Sequence, residues 1–580
     1  MMPRRLGISF LFVWAAMSGL AVRLFYLQVF QGFNYSELSQ KRSHIKIKSE
    51  TFRGTILDRN GNVLATSVEG YSVFLHPKQF VKSLRAIKLL ETNLSLYPGE
   101  VKEKCLSGQD FVWLSRKSSA ASVENISREK IEGVGVINEQ VRYYPNGSLA
   151  AQLVGFSGLD NYGLSGIEQS QDKYLKGNRI ELEQLHDAKG RNIFTAQSNA
   201  VKSSGNSVVL TLDRTLQYIA ERELKSGIAE YEAKSGIVII QNPTTGEILA
   251  MASIPSFDPN PLAQGARTHN LKPDALQNPA ISKIFEPGST FKAITFATAL
   301  EEKRARITEK YDCENGKWKY YDRIINDHEP ESIATFSEVL EKSSNIGTAK
   351  ISLGIGEELF FRYVRAFGFG ARTWIALPGE AEGLVRPLEK WSKVSLPSMS
   401  FGQEIGVTAL QLINAYSAIA NGGLLMEPLI VKELREPDGG HKVKEAYKSQ
   451  IVRRVISTQT ASAMRRLLLG VVDRGTGINA QIPGYTVAGK TGTAQKINPD
   501  TKRYYADKYT SSFCGFLPAE SPQLVCLVVL DEPKQNYWGG SSAAPVFAKV
   551  MSRAAQIYGI APKSANNLTI VKLNKSNDPE

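Results

Sequence analysis

From Leu6 to Val22 the chain carries no charged residue, and after Arg23 the apolar character resumes as Leu24-Phe25-Tyr26-Leu27. These 17 uncharged residues, extended past one snorkelling arginine, can cross a hydrocarbon layer of roughly 30 Å. Inside such a layer backbone polar groups find no partner but each other, so the segment must be a helix. A cleaved leader is the competing reading, because Gly19-Leu20-Ala21 offers small residues at a suitable place. Apolar sequence continuing beyond that point favours a retained anchor over residues 6–30, after a cytoplasmic tail of residues 1–5. Arg4 and Arg5 argue for a cytoplasmic N-terminus, yet Lys41, Arg42, Lys46 and Lys48 lie on the far side. Charge counting alone leaves the orientation open.

At 580 residues the chain is long enough for two or three domains, each with a full core. A hydrophobic share of 42% with 22% charged residues excludes a disordered chain and a multi-span membrane protein. Lys and Arg outnumber Asp and Glu by 70 to 57, a net charge of +13 that favours an anionic neighbour. Nucleic acid, an acidic membrane surface and an anionic polymer all meet that description. The four cysteines, Cys105, Cys313, Cys514 and Cys526, form no Cys-x-x-Cys, so neither a zinc site nor a disulfide scaffold is expected.

Residues 31–205 mix short alternating runs with turn signals, as in Arg53 to Ala65, which reads as strand, Asn60-Gly61 turn, strand. A polar hinge at residues 202–206 leads into residues 206–560, where long helical patterns alternate with strands. Thr215 to Tyr231 reads as helix, and Gly236 to Gln241 with Ile248 to Ala252 as a hairpin. Ser511 to Leu517 and Leu524 to Asp531 read as two strands joined by a Pro-bounded turn. Cys514 and Cys526 would then sit slightly out of register, as separate buried thiols. Helix clusters flanking an antiparallel sheet make an α+β domain. Residues 561–580 read as a loose tail.

Ser-x-x-Lys recurs along the chain, so a lone match carries no weight. Ser43–Lys46 lies in a Lys-rich stretch and Ser127–Lys130 in a charged, surface-type segment. Ser289–Lys292 differs: Glu286-Pro287-Gly288 breaks the chain before it and an apolar run follows to Ala297. That pattern puts Ser289 in the first turn of a buried helix, with Lys292 one turn on and on the same face. A lysine in an apolar helix loses charge readily, and a neutral amine can take the proton of a serine hydroxyl. Ser-x-Asn recurs too, but Ser343-Ser344-Asn345 alone joins the end of one helix to the start of another. Lys-[Ser/Thr]-Gly at Lys490-Thr491-Gly492, followed by Thr493, lies in a strand whose glycines permit close ligand approach. Order and spacing select one triple: Ser289, Ser343 after 54 residues, and Lys490 after another 147.

This triple resembles the active site of the penicillin-recognising serine enzymes. Arg53-Gly54 through Asp58-Arg59-Asn60-Gly61 is similar to the membrane-proximal signature of class B penicillin-binding proteins. So are Gly163-x-x-Gly166-x-Glu168 and Asp187-x-Lys189-Gly190-Arg191. Ser400-Phe401-Gly402-Gln403-Glu404 with Val407, Thr408 and Gln411, and Gly539-Gly540 with Ala543 to Phe547, resemble that class's transpeptidase domain, in its division-type, septal form. The resemblance implies a membrane anchor, an elongated mixed pedestal of the dimerisation type, and a serine β-lactamase-like transpeptidase domain.

Its roles carry over residue by residue. Ser289 would be the acylated nucleophile, Lys292 its general base, and Ser343 a proton relay in contact with Lys490. Asn345 would bind the peptide amide of the substrate. Thr491, Gly492 and Thr493 would hold its terminal carboxylate, and the N–H groups of Ser289 and Thr493 would form the oxyanion hole. One such donor is worth roughly 2.7–4 kcal/mol in comparable sites. Repulsion between the two lysines would help keep Lys292 neutral. No cofactor, metal or nucleic acid is expected. The implied partners are D-Ala-D-Ala stem peptides of peptidoglycan, β-lactams, the inner membrane, and a membrane-embedded glycan polymerase among other division proteins. The catalytic body would lie on the periplasmic side.

A D,D-carboxypeptidase or β-lactamase on the same scaffold is the alternative, disfavoured because a soluble hydrolase needs no pedestal. A β-lactam sensor or scaffold would need a cytoplasmic signalling module. Asp327-His328 reads as structural hydrogen bonding, since Lys292 fills the base role. Tyr504-Tyr505 and Tyr537-Trp538 fit either a groove lining or loop packing. Arg53, Asp58, Arg59 and Glu168 either brace the pedestal against the catalytic domain or present a charged face to a partner.

Overall fold

The computed structural model describes residues 2–32, 44–49, 52–177, 180–186, 192–195, 204–265, 273–437, 442–501 and 503–563. The chain divides into two units, one of residues 1–52 with 176–205 and one of residues 53–175 with 206–580.

In the first unit, Met2–Phe25 is one α-helix (α1), continued by a π-turn at Tyr26–Phe30. Its membrane-compatible stretch, Gly7–Phe30, has 24 residues, a mean hydropathy of 1.8 and no buried side chain. At 1.5 Å per residue that stretch is about 36 Å long where helical, enough for a bilayer core. The Arg23 guanidinium lies over the Tyr26 ring at 5.8 Å, as expected of an arginine that snorkels. The same unit holds a three-stranded antiparallel sheet of His44–Ser49, Ile180–His186 and Asn192–Thr195. The signature Asp187 to Arg191, and residues 202 and 203 of the expected hinge, lie outside the described residues, as does the tail beyond residue 563.

The second unit begins with the expected hairpin. Strand β1 (Ile56–Leu57) turns through Asp58–Asn62 into β2 (Val63–Leu75), which pairs with β3 (Val112–Ser118) and β4 (Val134–Tyr143). Asp58 closes the turn by accepting from the Asn60 and Asn62 amides at 2.9 and 2.7 Å. Strand β5 (Ser207–Leu210) runs parallel to β1, with Ile56 opposite Val208. Val431–Arg435 pairs with β5, so this sheet joins segments more than 200 residues apart in the sequence.

Helix α2 (Arg214–Glu230), capped by Asp213, packs on the strands that follow it, β6 (Ser235–Gln241) and β7 (Ile248–Ile254). The apolar run after Ser289 becomes α3 (Lys292–Glu301), and the Ser343 segment joins α4 (Phe336–Glu341) to α5 (Asn345–Ile355). Helix α6 (Ala409–Ala420) is buried along its whole length, as its nearly unbroken apolar sequence dictates. After α7 (Thr458–Asp473) come β8 (Ala488–Ile497), β9 (Tyr504–Leu517), β10 (Leu524–Asp531) and α8 (Ala543–Ile557). The antiparallel sheet has the order β7-β6-β10-β9-β8, which leaves β8 at the edge. One core lies between α3, α6 and one face of the sheet, and a second between α2, α8 and the other face. Cys514 pairs with Leu527 and Cys526 with Gly515, one step out of register, and both are buried free thiols.

Candidate active site

Ser289 sits in a 3-10 turn, Gly288–Phe291, that leads into α3 at Lys292. The sequence suggests the first α-helical turn; the tighter turn arises because Gly288, at φ +55°, is wedged between two backbones. A Cβ on Gly288 would come within 2.9 Å of the Thr493 carbonyl oxygen, and one on Gly402 within 2.1 Å of the Gly288 carbonyl oxygen. Buried Tyr416 of α6 donates to the Thr290 carbonyl at 2.7 Å, and Thr295 donates to the Ser400 carbonyl at 2.6 Å. The Ser289 turn is thus fixed from three sides, while Ser289 itself remains half-buried.

Ser343, at φ +62°, occupies the bend between α4 and α5. Asp327 holds that bend: its carboxylate accepts from the Ser344 hydroxyl at 2.6 Å and the Ile346 amide at 3.0 Å. This carboxylate at the start of α5 is a helix cap, as the structural reading of Asp327 anticipates. His328 does more than pack, for its ring lies 4.1 Å from that of Trp538 and both line the cleft. Asn345 donates from Nδ2 to the Asn326 carbonyl at 2.9 Å, which fixes the orientation of its amide.

On the edge strand, the Lys490 Nζ donates to the Ser343 Oγ at 2.9 Å. The Lys292 Nζ donates to the same hydroxyl at 3.2 Å and also to the Ser343 carbonyl. Both lysines are fully buried, and neither contacts a carboxylate at ion-pair distance among the described residues. Burial pulls Lys292 down to about 7, against the opposing influence of Asp327. Burial and then the charge of Lys292 push Lys490 well below the usual lysine range. Burial, as expected of a lysine in an apolar helix, is what lowers Lys292, and the repulsion between the two amines falls on Lys490 instead.

Thr491 and Thr493 face the cleft; Thr491 Oγ1 is 2.8 Å from Thr476 Oγ1, and Thr493 Oγ1 accepts from the Gly539 amide at 2.9 Å. Gly492 corrects the expectation of close ligand approach. A Cβ there would lie 2.4 Å from Ser512 Oγ, 2.8 Å from Thr290 Cγ2 and 2.9 Å from the Pro287 carbonyl oxygen. The glycine lets β8 press against the Ser289 turn, and it does not line the cleft. Ser289, Ser343, Asn345, Thr491, Thr493 and Trp538 open on one cavity of about 550 Å³, with the two lysines beneath its floor. Thr476 and Trp538 were not singled out as site residues by the sequence; only the motif-like Tyr537-Trp538 pair hinted at a lining role.

A hydroxyl on a fixed turn, a buried amine one turn along whose charge is disfavoured by burial, and a second hydroxyl between two lysines equip this α+β scaffold for acyl transfer through a serine. The description "Penicillin binding protein transpeptidase domain" fits residues 236–552, and "Penicillin-binding Protein dimerisation domain" fits residues 48–210. The chain belongs to the penicillin-binding protein transpeptidase family, in the two-domain, class B arrangement.

Stage V sporulation protein D of Bacillus subtilis is 35% identical, over 93% of this chain and 84% of that protein. Peptidoglycan D,D-transpeptidase FtsI of Escherichia coli is 32% identical, over 94% of this chain and 90% of that one. Among solved structures, penicillin-binding protein 3 of Mycobacterium tuberculosis complexed with aztreonam is 30% identical, with a TM-score of 0.69. That match covers 89% of this chain and 98% of the other.

Proposed function

We propose that this chain is a membrane-anchored peptidoglycan D,D-transpeptidase that cross-links stem peptides at the division septum through an acyl-enzyme on Ser289. The observation that carries the reading is the shared hydroxyl of Ser343, held by Lys292 at 3.2 Å and Lys490 at 2.9 Å beside the Ser289 turn. In this mechanism neutral Lys292 takes the Ser289 hydroxyl proton as Oγ attacks the carbonyl of the D-Ala–D-Ala bond. The Ser289 and Thr493 amides receive the oxyanion, where the helix start places partial positive charge. Collapse breaks the C–N bond, and Ser343 passes a proton to the departing D-alanine amine. Asn345 Oδ1, with its Nδ2 already engaged by Asn326, accepts from a substrate amide. Thr491 and Thr493 bind the terminal carboxylate, and buried Lys490 supports Ser343 from below. A β-lactam acylates the same oxygen and stays on it.

Residues 6–30 then serve as a single-pass anchor, 31–205 as the pedestal and 206–560 as the transpeptidase domain facing the periplasm. The relatives named for peptidoglycan transpeptidation, with a sporulation protein among them, support the wall-synthesis reading. A membrane-embedded glycan polymerase is the partner that such an enzyme would need. The test is intact mass with peptide mapping after treatment with a labelled penicillin. One adduct on Ser289 is expected, and none in Ser289→Ala, whose stability should move by no more than about 0.5 kcal/mol. An adduct retained by Ser289→Ala removes the assignment.

A further inference from the structure

A second cavity, of about 640 Å³, adjoins the first, and Ala494 lines both. Its wall includes Lys283 to Glu286, the residues leading into Pro287-Gly288-Ser289. Three residues of extended chain reach at most about 11 Å, so Glu286 stands within one short segment of the nucleophile. The Glu286 carboxylate accepts from the Tyr504 hydroxyl at 3.0 Å and the Glu404 amide at 2.8 Å. No cation lies at ion-pair distance from it among the described residues. Burial raises Glu286 to about 7. Beside it, Arg323 bonds Glu404 at 3.0 Å and Ser398 at 2.9 Å, and Arg386 also bonds Glu404. Both guanidiniums keep substantial exposure to the cavity, 45% and 39% of their side chains. Each has five N–H donors, of which these contacts use a part.

Acylation uses none of these groups, yet the second half of transpeptidation needs something the first cleft lacks. While the acyl group fills that cleft, an amine must arrive from elsewhere, and it arrives as an ammonium that has to lose a proton. We propose that the second cavity receives the acceptor, an amino-acid branch whose ammonium meets the Glu286 carboxylate and whose carboxylate meets Arg323 and Arg386. The proposal rests on the transpeptidase reading above. Glu286 takes one proton from the ammonium, and the freed lone pair attacks the acyl carbon. The bond from that carbon to Ser289 Oγ then breaks. Oγ takes the surplus proton of the new amide through Lys292, and Glu286 returns its own to solvent.

The test loads full-length chain in detergent with an acyl group on Ser289 from a thioester donor and then follows one turnover. The acceptor probe is a tripeptide bearing diaminopimelate, whose free ammonium and carboxylate share one carbon, compared with the same peptide amidated at that carboxylate. In the wild-type chain the carboxylate form should have a KM about tenfold lower, the worth of one charge-assisted contact. Glu286→Gln, which keeps both accepting roles, should lower the transfer-to-hydrolysis ratio about tenfold with either probe. Arg386→Gln should lower it by a similar factor, about tenfold, with the carboxylate probe only. Thermal midpoints report folding of both variants, and the wild-type KM comparison stands without them. Equal KM values for the two probes, or wild-type partition in folded variants, overturn the acceptor site. Failure of the wild-type chain to acylate at Ser289 overturns the transpeptidase reading, and the acceptor site with it.

Discussion

In the pedestal, Arg53 and Arg142 share the carboxylate of Glu168; in the cleft, Lys292 and Lys490 share only the hydroxyl of Ser343. All four cations are buried. Around Glu168 the two guanidiniums sit at 2.6 Å each, with Tyr144 adding a third donor at 3.2 Å. Burial alone would raise Glu168, but the arginines outweigh it and hold the carboxyl below its ordinary range. Arg53 also reaches Asp172 at 2.6 Å and the Asn161 carbonyl at 3.0 Å. Charge buried with its counter-charge becomes a strut; charge buried without one becomes a reactive amine. The same contrast decides the two readings of the pedestal signature. Arg53, Asp58 and Glu168 are too buried to offer a charged face. Asp58 accepts from the Arg214 amide and so ties the hairpin to the start of α2, while the Arg53–Glu168 pair braces the pedestal internally.

The sharpest break would come from Lys292, the base of the proposed mechanism. Lys292→Met keeps the volume and the burial, and acylation by a fluorescent β-lactam should slow about 10²–10⁴-fold. Retention of the wild-type rate would put the unpaired amine on the structural side of the comparison. Next is Glu168→Gln, which leaves Arg142 buried without a counter-charge and Arg53 with Asp172 alone, and should remove about 3–5 kcal/mol of stability in denaturant titration. Its folded fraction should acylate at the wild-type rate; slower acylation would mean that the pedestal shapes the cleft.

The pH profile separates the regions further. Lys292 must be neutral to act, so the acylation rate should fall about tenfold per pH unit below the Lys292 value of about 7 and level off above it. A flat profile between pH 5 and 8 would remove Lys292 as base. Glu168 works in the opposite sense, since its folded-state value is lowered. Its contribution to stability is present above the ordinary carboxylate range and disappears as pH falls through the lowered value. The smallest effect belongs to Arg59, 3.5 Å from Glu247 and partly exposed. Arg59→Ala should cost about 1 kcal/mol or less in the same titration.

Much of the architecture is local and was legible as such. The uncharged run demanded a helix and the Asn60-Gly61 turn a hairpin, and the spacing of Cys514 and Cys526 favoured two separate thiols over a bridge. The three motifs and their order were legible too, because acyl transfer requires particular side chains at fixed local spacing. The sequence by itself therefore determined the anchor, the main elements and the chemical class. Tertiary structure decided the rest: that Gly492 serves packing and that His328 and Trp538 meet in the cleft. It also decided that Glu168 joins Arg53 across 115 residues and that Glu286 faces a second cavity. The reason is physical. A motif fixes which groups are present, but protonation state and strength of pairing depend on desolvation and on neighbours far away in sequence, which only the folded chain assembles.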